Sequence, residues 1–268
     1  MAAVPSYKLA NGLSYPCIGL GTYAITGRSC VQTVATAIDL GYRLIDTASF
    51  YHNEAEVGEG VRQSSVPREQ IFVATKLYPN QFGHAARAID EALRKLDLDY
   101  LDMMLLHHPA GNDVQAYRAI EDAIQAGKIR FAGISCYYQE ELTRFLPQIS
   151  VKPLLVQNEV HPFYQDTAVV DFIQKQGLLV QSWYPLGGRG YTQELFGHQT
   201  IKEIAAGHHK TPAQVILRWY VERGICPIPS SHSVQHLKEN LEIFDFKLSP
   251  EEIQAIARLE RRDKHDWY

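Results

Sequence analysis

The sequence predicts an α/β protein: one domain over residues 1–268, folded as a (β/α)8 TIM barrel with an N-terminal β-hairpin and an extra C-terminal helix. The length of 268 residues suits one such barrel, which takes roughly 250. Short apolar runs alternate with amphipathic stretches of helical length about eight times, and this alternation predicts a parallel sheet. No linker, low-complexity stretch or charge run divides the chain. Eight repeats favour closure into a barrel over an open sheet.

The predicted strands are the apolar runs at 16–19, 42–45, 71–75, 101–106, 129–134, 154–156, 178–181 and 225–228. The predicted helices between them include 85–96, 114–126 and 212–222. Thr211 can cap the last of these, and Pro212 suits its first turn. A Ser-Pro pair gives a similar start to the final helix, predicted over 250–261. Near the N-terminus, Asn11 and Gly12 favour the tight turn of a hairpin.

Composition and charge argue against several classes of function. Hydrophobic residues make up 46% and charged residues 21% of the chain, as in ordinary globular proteins. The net charge of -4 offers no basic surface to phosphate backbones, so we expect no nucleic-acid partner. The N-terminus lacks the pattern of a signal peptide, and no apolar stretch is long enough to span a bilayer. We therefore expect a cytoplasmic protein without a membrane partner.

The cysteines and histidines do not form a recognisable metal site. Cys17, Cys30, Cys136 and Cys226 are scattered, without metal-ligand spacing, which indicates reduced thiols. The histidines likewise lack H-x-x-x-H spacing, and His161 precedes a proline in a pattern typical of a structural turn. We therefore expect no bound metal.

Polar or small residues follow almost every predicted strand. Strand ends often meet solvent, so any single position of this kind is weak as a sign of function. In a barrel, however, the C-terminal ends of all strands converge on one mouth, where barrel enzymes place their chemistry. These residues are Gly21, Thr22, Asp46, Lys76, His107, Ser135, Gln157, Ser182, Trp183, Ser230 and Ser231.

Three of these side chains, together with Tyr51, form a group that could protonate a developing alkoxide. A tyrosine such as Tyr51 has an ordinary pKa near 10, and a lysine cation beside it favours the phenolate. Asp46 would keep Lys76 charged and fixed, and His107 would hydrogen-bond the substrate oxygen. This set predicts a general acid for hydride transfer to a carbonyl carbon. The aromatic residues that follow strand ends, Tyr23, Phe50 and Tyr78, are either pocket walls or ordinary core and surface rings.

The segment Gly-Tyr-Arg-Leu-Ile-Asp-Thr-Ala at 41–48 is followed by Tyr51, Glu54 and Gly58. This pattern resembles the signature of the aldo-keto reductase family, and the resemblance extends over essentially the whole chain. Blocks around Lys76 and His107 follow in family order. The resemblance implies reduction of aldehydes or ketones to alcohols with a nicotinamide cofactor, NADP(H) by default and NAD(H) as an alternative, by a monomer.

The resemblance assigns Asp46, Tyr51, Lys76 and His107 as the catalytic tetrad. It makes His108 a substrate contact, alongside the three strand-end aromatics. It gives Trp183 the role of a ring stacked on the nicotinamide, and Ser135 and Gln157 that of partners for the carboxamide. The full set of implied cofactor contacts is Gly21, Thr22, Asp46, Ser135, Gln157, Trp183, Tyr184, Pro185, Leu186, Gly187, Ser230, Ser231, His232, His236, Glu239 and Asn240.

The sequence departs from the family pattern in three places. Cys136 stands where the family has an asparagine, and a thiol is a poor substitute for an amide. Where the family has a lysine and an arginine for the 2′-phosphate of NADP, this chain has a serine pair at 230–231 and His236. The loops after His107 and Gly187 and the C-terminal tail are short, which predicts an open pocket of modest selectivity.

Two other functions are possible for a barrel of this kind. A non-catalytic, cofactor-binding regulatory or structural protein could use the same barrel, although the complete tetrad argues against it. An aldolase could use Lys76 as a Schiff base, although Asp46 and Tyr51 in the signature disfavour that.

Overall fold

The computed structural model describes residues 4–9, 12–188 and 190–265. The strands are β1 Ser6–Lys8, β2 Ser14–Pro16, β3 Leu20–Gly21, β4 Leu44–Asp46, β5 Phe72–Leu77, β6 Leu101–Leu106, β7 Ile129–Ser135, β8 Leu155–Glu159, β9 Leu179–Trp183 and β10 Ile225–Pro227. The α-helices are α1 Gly27–Leu40, α2 Glu54–Gln63, α3 Ala85–Leu96, α4 Asp113–Gln125, α5 Gln139–Phe145, α6 Thr167–Lys175, α7 Thr192–Gly197, α8 Gln199–Gly207, α9 Pro212–Glu222, α10 Val234–Leu241 and α11 Pro250–Ala257.

Eight parallel strands form the barrel, in the sequential order β3 to β10. The first and last strands also meet, because the amide of Gly19 bonds to the Pro227 carbonyl and that of Gly21 to the Pro229 carbonyl, both at 3.1 Å. The backbone of Gly21 lies so close that a Cβ there would be 2.7 Å from the Ile228 carbonyl oxygen. The predicted TIM-barrel fold is confirmed.

Alternating residues of the strands face two hydrophobic layers. In β6, Met103 and Leu105 point into the barrel, whereas Met104 and Leu106 pack against the surrounding helices. This division follows from the two-residue period of a strand, and it explains why the whole of β6 is buried. The β1–β2 hairpin adds Tyr15 to the interior cluster, with its ring 5.0 Å from that of Phe72.

The signature glycine Gly58 has a packing role. A Cβ at this position in α2 would lie 1.8 Å from the carbonyl oxygen of Leu96, at the end of α3. Helices α2 and α3 can therefore approach this closely only where the side chain is absent.

The predicted elements are largely confirmed, with two corrections. The first barrel strand is Leu20–Gly21 rather than 16–19, because Pro16 pairs with Ser6 in the hairpin. The final helix ends at Ala257 rather than near 261, because the amide of Arg261 bonds instead to the Phe163 carbonyl. The hairpin itself is present, although Asn11 of its predicted turn lies outside the described residues.

Candidate active site

A cavity of about 460 Å³ opens at the carboxyl ends of the barrel strands. Most residues predicted for the site from the sequence line it together. They are Gly21, Thr22, Tyr23, Asp46, Phe50, Tyr51, Tyr78, His107, His108, Ser135, Gln157, Trp183, Tyr184, Pro185, Leu186 and Ser230.

Lys76 lies beneath the cavity and connects its neighbours. Its Nζ donates to Asp46 Oδ1 at 2.5 Å, to the Thr47 carbonyl at 2.9 Å and to Tyr51 Oη at 3.3 Å. Lys76 and Asp46 are both 1% exposed, and the Tyr51 ring is only partly buried. The ammonium group thus has all three protons directed at oxygen, and the phenol above it faces the cavity.

Gln157 orients the other side of Asp46. Its Nε2 donates to Asp46 Oδ2 at 2.8 Å and to Gln181 Oε1 at 2.6 Å. Gln181 in turn donates to the hydroxyl of Tyr15 at 3.1 Å. The Asp46 side of the cavity therefore rests on a buried hydrogen-bond network that reaches the N-terminal hairpin. The sequence analysis did not predict this role for Gln157.

Burial controls the ionisation of these groups. It raises the pKa of Asp46 and lowers that of Lys76, and in both cases the attraction between the two groups opposes the effect. The pKa of Tyr51 lies well above its ordinary value, first because of burial and then because of the Asp46 charge. The sequence analysis expected Lys76 to favour the phenolate and so to lower the pKa of Tyr51. This expectation is wrong, because burial raises that pKa by more than the lysine cation lowers it. Tyr51 therefore keeps its proton at neutral pH.

His107 is the histidine that contacts the phenol. Its ring meets Tyr51 edge-on, with centroids 5.7 Å apart, and stacks on His108 at 4.5 Å. Burial and the Lys76 charge lower the pKa of His107 well below its usual range, and they lower that of His108 to about 4. Both rings are therefore neutral at pH 7, so one nitrogen of His107 can donate a hydrogen bond and the other can accept one.

Aromatic rings surround the cavity mouth. Phe50 stacks on Tyr78 at 4.7 Å, and Tyr23 meets Tyr51 edge-on at 5.1 Å. Tyr23 and Phe50 are 43% and 46% exposed, which is unusual for large hydrophobic side chains. Such rings give a flat apolar border to the opening.

A further part of the cavity lining combines a flat ring with small polar groups. Trp183, at the end of β9, meets Tyr184 edge-on at 4.9 Å. Ser135 ends β7, and its Oγ lies 3.7 Å from the sulfur of Cys136. Cys136 and Tyr184 adopt left-handed backbone conformations, with φ of 62° and 51°. Non-glycine residues in this region are uncommon and concentrate at functional sites.

The implied phosphate contacts lie mostly outside the cavity lining. Ser230 is an exposed lining residue, and His232 and His236 are also exposed. The Ser231 hydroxyl accepts a hydrogen bond from the amide of Ser233. Ser233 is the N-cap of α10, a role that the sequence analysis did not predict. Glu239 and Asn240 lie within α10. Gly187 also falls outside the lining, and its carbonyl accepts from a ring nitrogen of His265.

Sequence reasoning missed several lining residues because they carry no reactive group. Gly188, Thr192, Ile228 and Pro229 are of this kind, and Cys136, expected only as an altered contact, also lines the cavity. Only the closure of the barrel and the turn after β9 bring them to the mouth.

Within the described residues, Glu159, His161 and His265 form one buried group whose potential ligand atoms lie within 4.8 Å of one another. The two imidazoles stack at 4.1 Å with an angle of 22° between their planes. Ring lone pairs lie in the ring plane, so those of stacked rings do not converge on one ion. The group ties the C-terminal tail to β8 instead.

A family model described as the Aldo/keto reductase family matches residues 17–261. The chain belongs to the aldo/keto reductase family. It is 38% identical to a 2,5-diketo-D-gluconic acid reductase B from a Corynebacterium species, over 97% of this chain and 95% of that protein. Accordingly, it is an oxidoreductase that reduces carbonyl groups with a nicotinamide cofactor.

Solved aldo-keto reductases share the fold over nearly the full length. One, from a Medee basin deep-sea metagenome library, superposes with a TM-score of 0.93 at 33% identity, covering 97% of this chain and 96% of that one. Another, from Bombyx mori and in complex with NADP, has a TM-score of 0.91 at 30% identity, covering 98% and 95%. In the described part of this reductase, no helix is long and apolar enough to cross a membrane.

Proposed function

We propose that this reductase converts small aldehydes or ketones to alcohols with NADP(H), and that Tyr51 delivers the proton. The observation that carries the proposal is the position of Lys76 Nζ, which contacts both Asp46 and Tyr51 beneath one cavity. A phenol with a cation beneath it and open space above it is arranged to act as an acid toward a bound ligand.

The proton step follows from the ionisation of the site. A bound nicotinamide would supply hydride to the carbonyl carbon of the substrate, and the carbonyl oxygen would then carry negative charge. Tyr51, protonated because burial raises its pKa, donates its hydroxyl proton to that oxygen. The resulting phenolate lies 3.3 Å from Lys76 Nζ, so the cation stabilises it until a solvent proton restores the phenol. Asp46 holds the lysine in place throughout.

His107 orients the substrate oxygen in this proposal. Its neutral ring lines the cavity beside Tyr51, and its Nδ1 has no hydrogen-bond partner among the described residues. A neutral imidazole can donate to the carbonyl oxygen without competing with Tyr51 as the acid.

The cavity wall suits a nicotinamide ring with its carboxamide. Trp183 offers a flat face, and Ser135 and Gln157 offer a hydroxyl and an amide on the same wall. The serines at 230–231, His232, His236 and the amino end of α10 would receive the phosphates, since a helix N-terminus favours anions. Glu239 and Asn240 would contact the adenine. The site lacks the lysine and arginine expected for a 2′-phosphate, so we propose NADP(H) with appreciable use of NAD(H).

The contacts of Lys76 argue against the two alternative functions, a Schiff-base aldolase and a non-catalytic barrel protein. A Schiff base needs a lysine with a free lone pair, but this ammonium directs its protons at three oxygens. A non-catalytic barrel has no need for an acid poised in this way.

We also propose that the protein is a cytoplasmic monomer with one domain. All four cysteines are buried thiols outside any disulfide, which fits a reducing compartment. Among the described residues, Tyr23, Phe50 and Tyr191 account for three of the four exposed large hydrophobic side chains, and the first two line the cavity. This distribution suits a substrate opening better than a subunit interface.

A substrate panel tests the proposal. Aromatic aldehydes, α-dicarbonyls and keto sugars would each be mixed with NADPH and with NADH, and cofactor oxidation followed by absorbance. We expect turnover of at least one class with both cofactors and a preference for NADPH. No oxidation with any carbonyl would refute the proposed reaction.

A further inference from the structure

Asn53 follows the proposed proton donor by two positions and is fully buried. It is the N-cap of α2, and its backbone carbonyl accepts from the amide of Val57 at 2.9 Å. An asparagine at an N-cap usually bonds to the amides of its own helix through its side chain. Within the described chain, the Asn53 side chain makes no such bond and instead reaches two neighbouring segments. We name residues 47–53 the Tyr51 turn and residues 22–25 the Tyr23 loop.

The first bond of the Asn53 side chain closes the Tyr51 turn, which connects β4 to α2. Thr47 Oγ1 donates to Asn53 Oδ1 at 2.7 Å, so the first and last residues of the turn are joined through their side chains. The Thr47 carbonyl is also an acceptor for Lys76 Nζ, at 2.9 Å. The turn that carries the phenol is therefore closed at the residue that also holds the lysine.

The other two bonds of this side chain reach the Tyr23 loop, which follows β3. Asn53 Nδ2 donates to the Thr22 carbonyl at 2.9 Å and to the Ile25 carbonyl at 2.8 Å, so both of its amide protons are used. Tyr23 lies between these two acceptors in the chain, and its exposed ring meets that of Tyr51 edge-on at 5.1 Å. One buried carboxamide thus joins the aromatic border of the cavity to the turn that carries the proton donor.

Both segments contain a backbone conformation that needs support. Ala24 in the Tyr23 loop and His52 in the Tyr51 turn have φ of 62° and 55°, in the left-handed region. Residues with a Cβ are disfavoured there, and such conformations persist where surrounding contacts fix them. The carboxamide of Asn53 supplies contacts of this kind, because it bonds to the chain on both sides of Ala24 and belongs to the residue after His52.

We propose that Asn53 is a positioning residue for the reduction: its side chain fixes the Tyr51 turn and the Tyr23 loop against each other, and so places the proton donor relative to the substrate opening. This inference rests on the proposed function only for the role of Tyr51. Asn53 is not among the described residues that line the cavity, so it would act without touching substrate or cofactor.

The first test is hydrogen exchange of the full chain without cofactor, comparing wild type with Asn53→Ala. The amides of Ile25 and Tyr51 bond to carbonyls within their own segments, at 3.1 and 3.0 Å, and report the opening of each segment. We expect both amides to exchange about tenfold faster in Asn53→Ala, because three buried hydrogen bonds are lost.

Gln165→Ala is the matched control for this experiment. Gln165 is also buried, and its Nε2 donates to the Pro162 and Ile256 carbonyls, both at 2.9 Å. The substitution therefore removes the same kind of side-chain amide without touching either segment. Exchange of the Ile25 and Tyr51 amides should stay at the wild-type rate in this variant.

The second test is the rate of carbonyl reduction in a single turnover with saturating NADPH. Asn53→Ala should reduce the substrate about 10 to 100 times more slowly, because a displacement of a reacting group by about 1 Å has an effect of this size. Gln165→Ala should reduce it at a rate within about twofold of wild type.

The pH profile separates loss of position from loss of stability. Burial raises the pKa of Tyr51, so water admitted by an opened turn should lower that pKa. An acid acts only while protonated, so the decrease of kcat with rising pH should move to lower pH in Asn53→Ala. The titratable groups around this phenol are unchanged by the substitution; they are Asp46, Lys76, His107, Tyr23, Cys136 and Tyr184.

A second pair of variants covers the case in which Asn53→Ala does not fold. Thr47→Val keeps the volume and the backbone carbonyl of Thr47 but removes the hydroxyl that donates to Asn53. Thr47→Ser keeps a hydroxyl. We expect Thr47→Val to show the faster exchange and the slower reduction in smaller degree, and Thr47→Ser to recover most of the loss.

The outcomes separate the two proposals. Wild-type protein that oxidises neither NADPH nor NADH with any carbonyl would refute the proposed function, while the exchange experiment would still decide whether Asn53 joins the two segments. Exchange that rises no more in Asn53→Ala than in Gln165→Ala would overturn the role of Asn53. A lower melting temperature alone, with wild-type kcat and pH profile, would overturn it as well, as would equal rates in Thr47→Val and Thr47→Ser.

Discussion

The two ends of the proposed cofactor site are built differently. At the reacting end, Asp46, Lys76 and Gln157 are buried and joined by hydrogen bonds of 2.5 to 2.8 Å. At the phosphate end, Ser230 and His236 are exposed. One end is held by hydrogen bonds between buried side chains, and the other presents a hydroxyl and an imidazole at the surface.

This difference indicates a division of labour. A preorganised, buried set of dipoles and charges is effective at stabilising a transition state, because it does not reorganise during the reaction. An exposed set of hydroxyls and imidazoles provides weaker and more permissive recognition. We therefore assign the chemistry to the reacting end and the choice between NADPH and NADH to the phosphate end.

The largest effect is expected from Tyr51→Phe. Removing the hydroxyl should lower kcat by about two to four orders of magnitude, the range for a general acid, with cofactor binding nearly unchanged. Steady-state kinetics and a fluorescence titration with NADPH measure the two effects. Tyr117→Phe is the control. Tyr117 is a buried residue of α4, away from the cavity, and its hydroxyl donates to the Val151 carbonyl at 2.9 Å. Near-normal turnover in Tyr51→Phe would remove this residue from the mechanism.

Lys76→Met should slow reduction and change its pH dependence. The lysine favours the phenolate, so its loss raises the Tyr51 pKa further. An acid must be protonated to act, so reduction falls as pH rises through its pKa. The decrease of kcat with rising pH, the falling limb of the pH profile, should therefore move to higher pH. Measuring kcat as a function of pH tests this. An unchanged limb would show that Lys76 does not act on Tyr51.

The same substitution should cost about 3–5 kcal/mol of unfolding free energy, because Asp46 is left buried without its partner. Denaturant unfolding measures this cost. Adding Asp46→Asn to Lys76→Met should restore part of the stability, since the unpaired charge is removed. If the double variant is less stable than Lys76→Met alone, the buried pair does not account for the loss.

Cys136→Asn should strengthen cofactor binding about fivefold, the worth of one added hydrogen bond. The backbone at φ of 62° also suits asparagine better than cysteine. The measurement is the Kd of NADPH for Cys136→Asn and for Cys136→Ala, which loses the thiol without gaining an amide. Equal affinities in the two variants would argue against a carboxamide contact here.

The smallest expected effect concerns His236. An imidazole at the amino end of α10 can donate a hydrogen bond to a 2′-phosphate, so His236→Ala should lower the ratio of kcat/KM for NADPH over NADH by roughly a few-fold. His209→Ala, which alters another exposed histidine, should leave this ratio unchanged. The same ratio in His236→Ala and in wild type would show that His236 is not a phosphate ligand.

The sequence predicts some contacts of the site and not others. Asp46 and Lys76 end or nearly end apolar strands, so the barrel topology alone brings them together. The Gln157–Asp46 bond joins residues 111 positions apart, and the docking of His265 depends on a tail conformation. No local pattern encodes either contact. The Tyr51 pKa was mispredicted because sequence identifies neighbouring charges but not the depth of burial that outweighs them.

The most direct test of the division is a single-turnover measurement of hydride transfer, with the wild-type enzyme saturated first with NADPH and then with NADH. Because we propose that the 2′-phosphate binds far from the reacting atoms, we expect Kd values that differ and hydride-transfer rate constants that agree within about threefold, as for uniform binding. A saturated rate constant at least about a hundredfold lower with NADH would contradict it, because phosphate contacts would then contribute to the transition state.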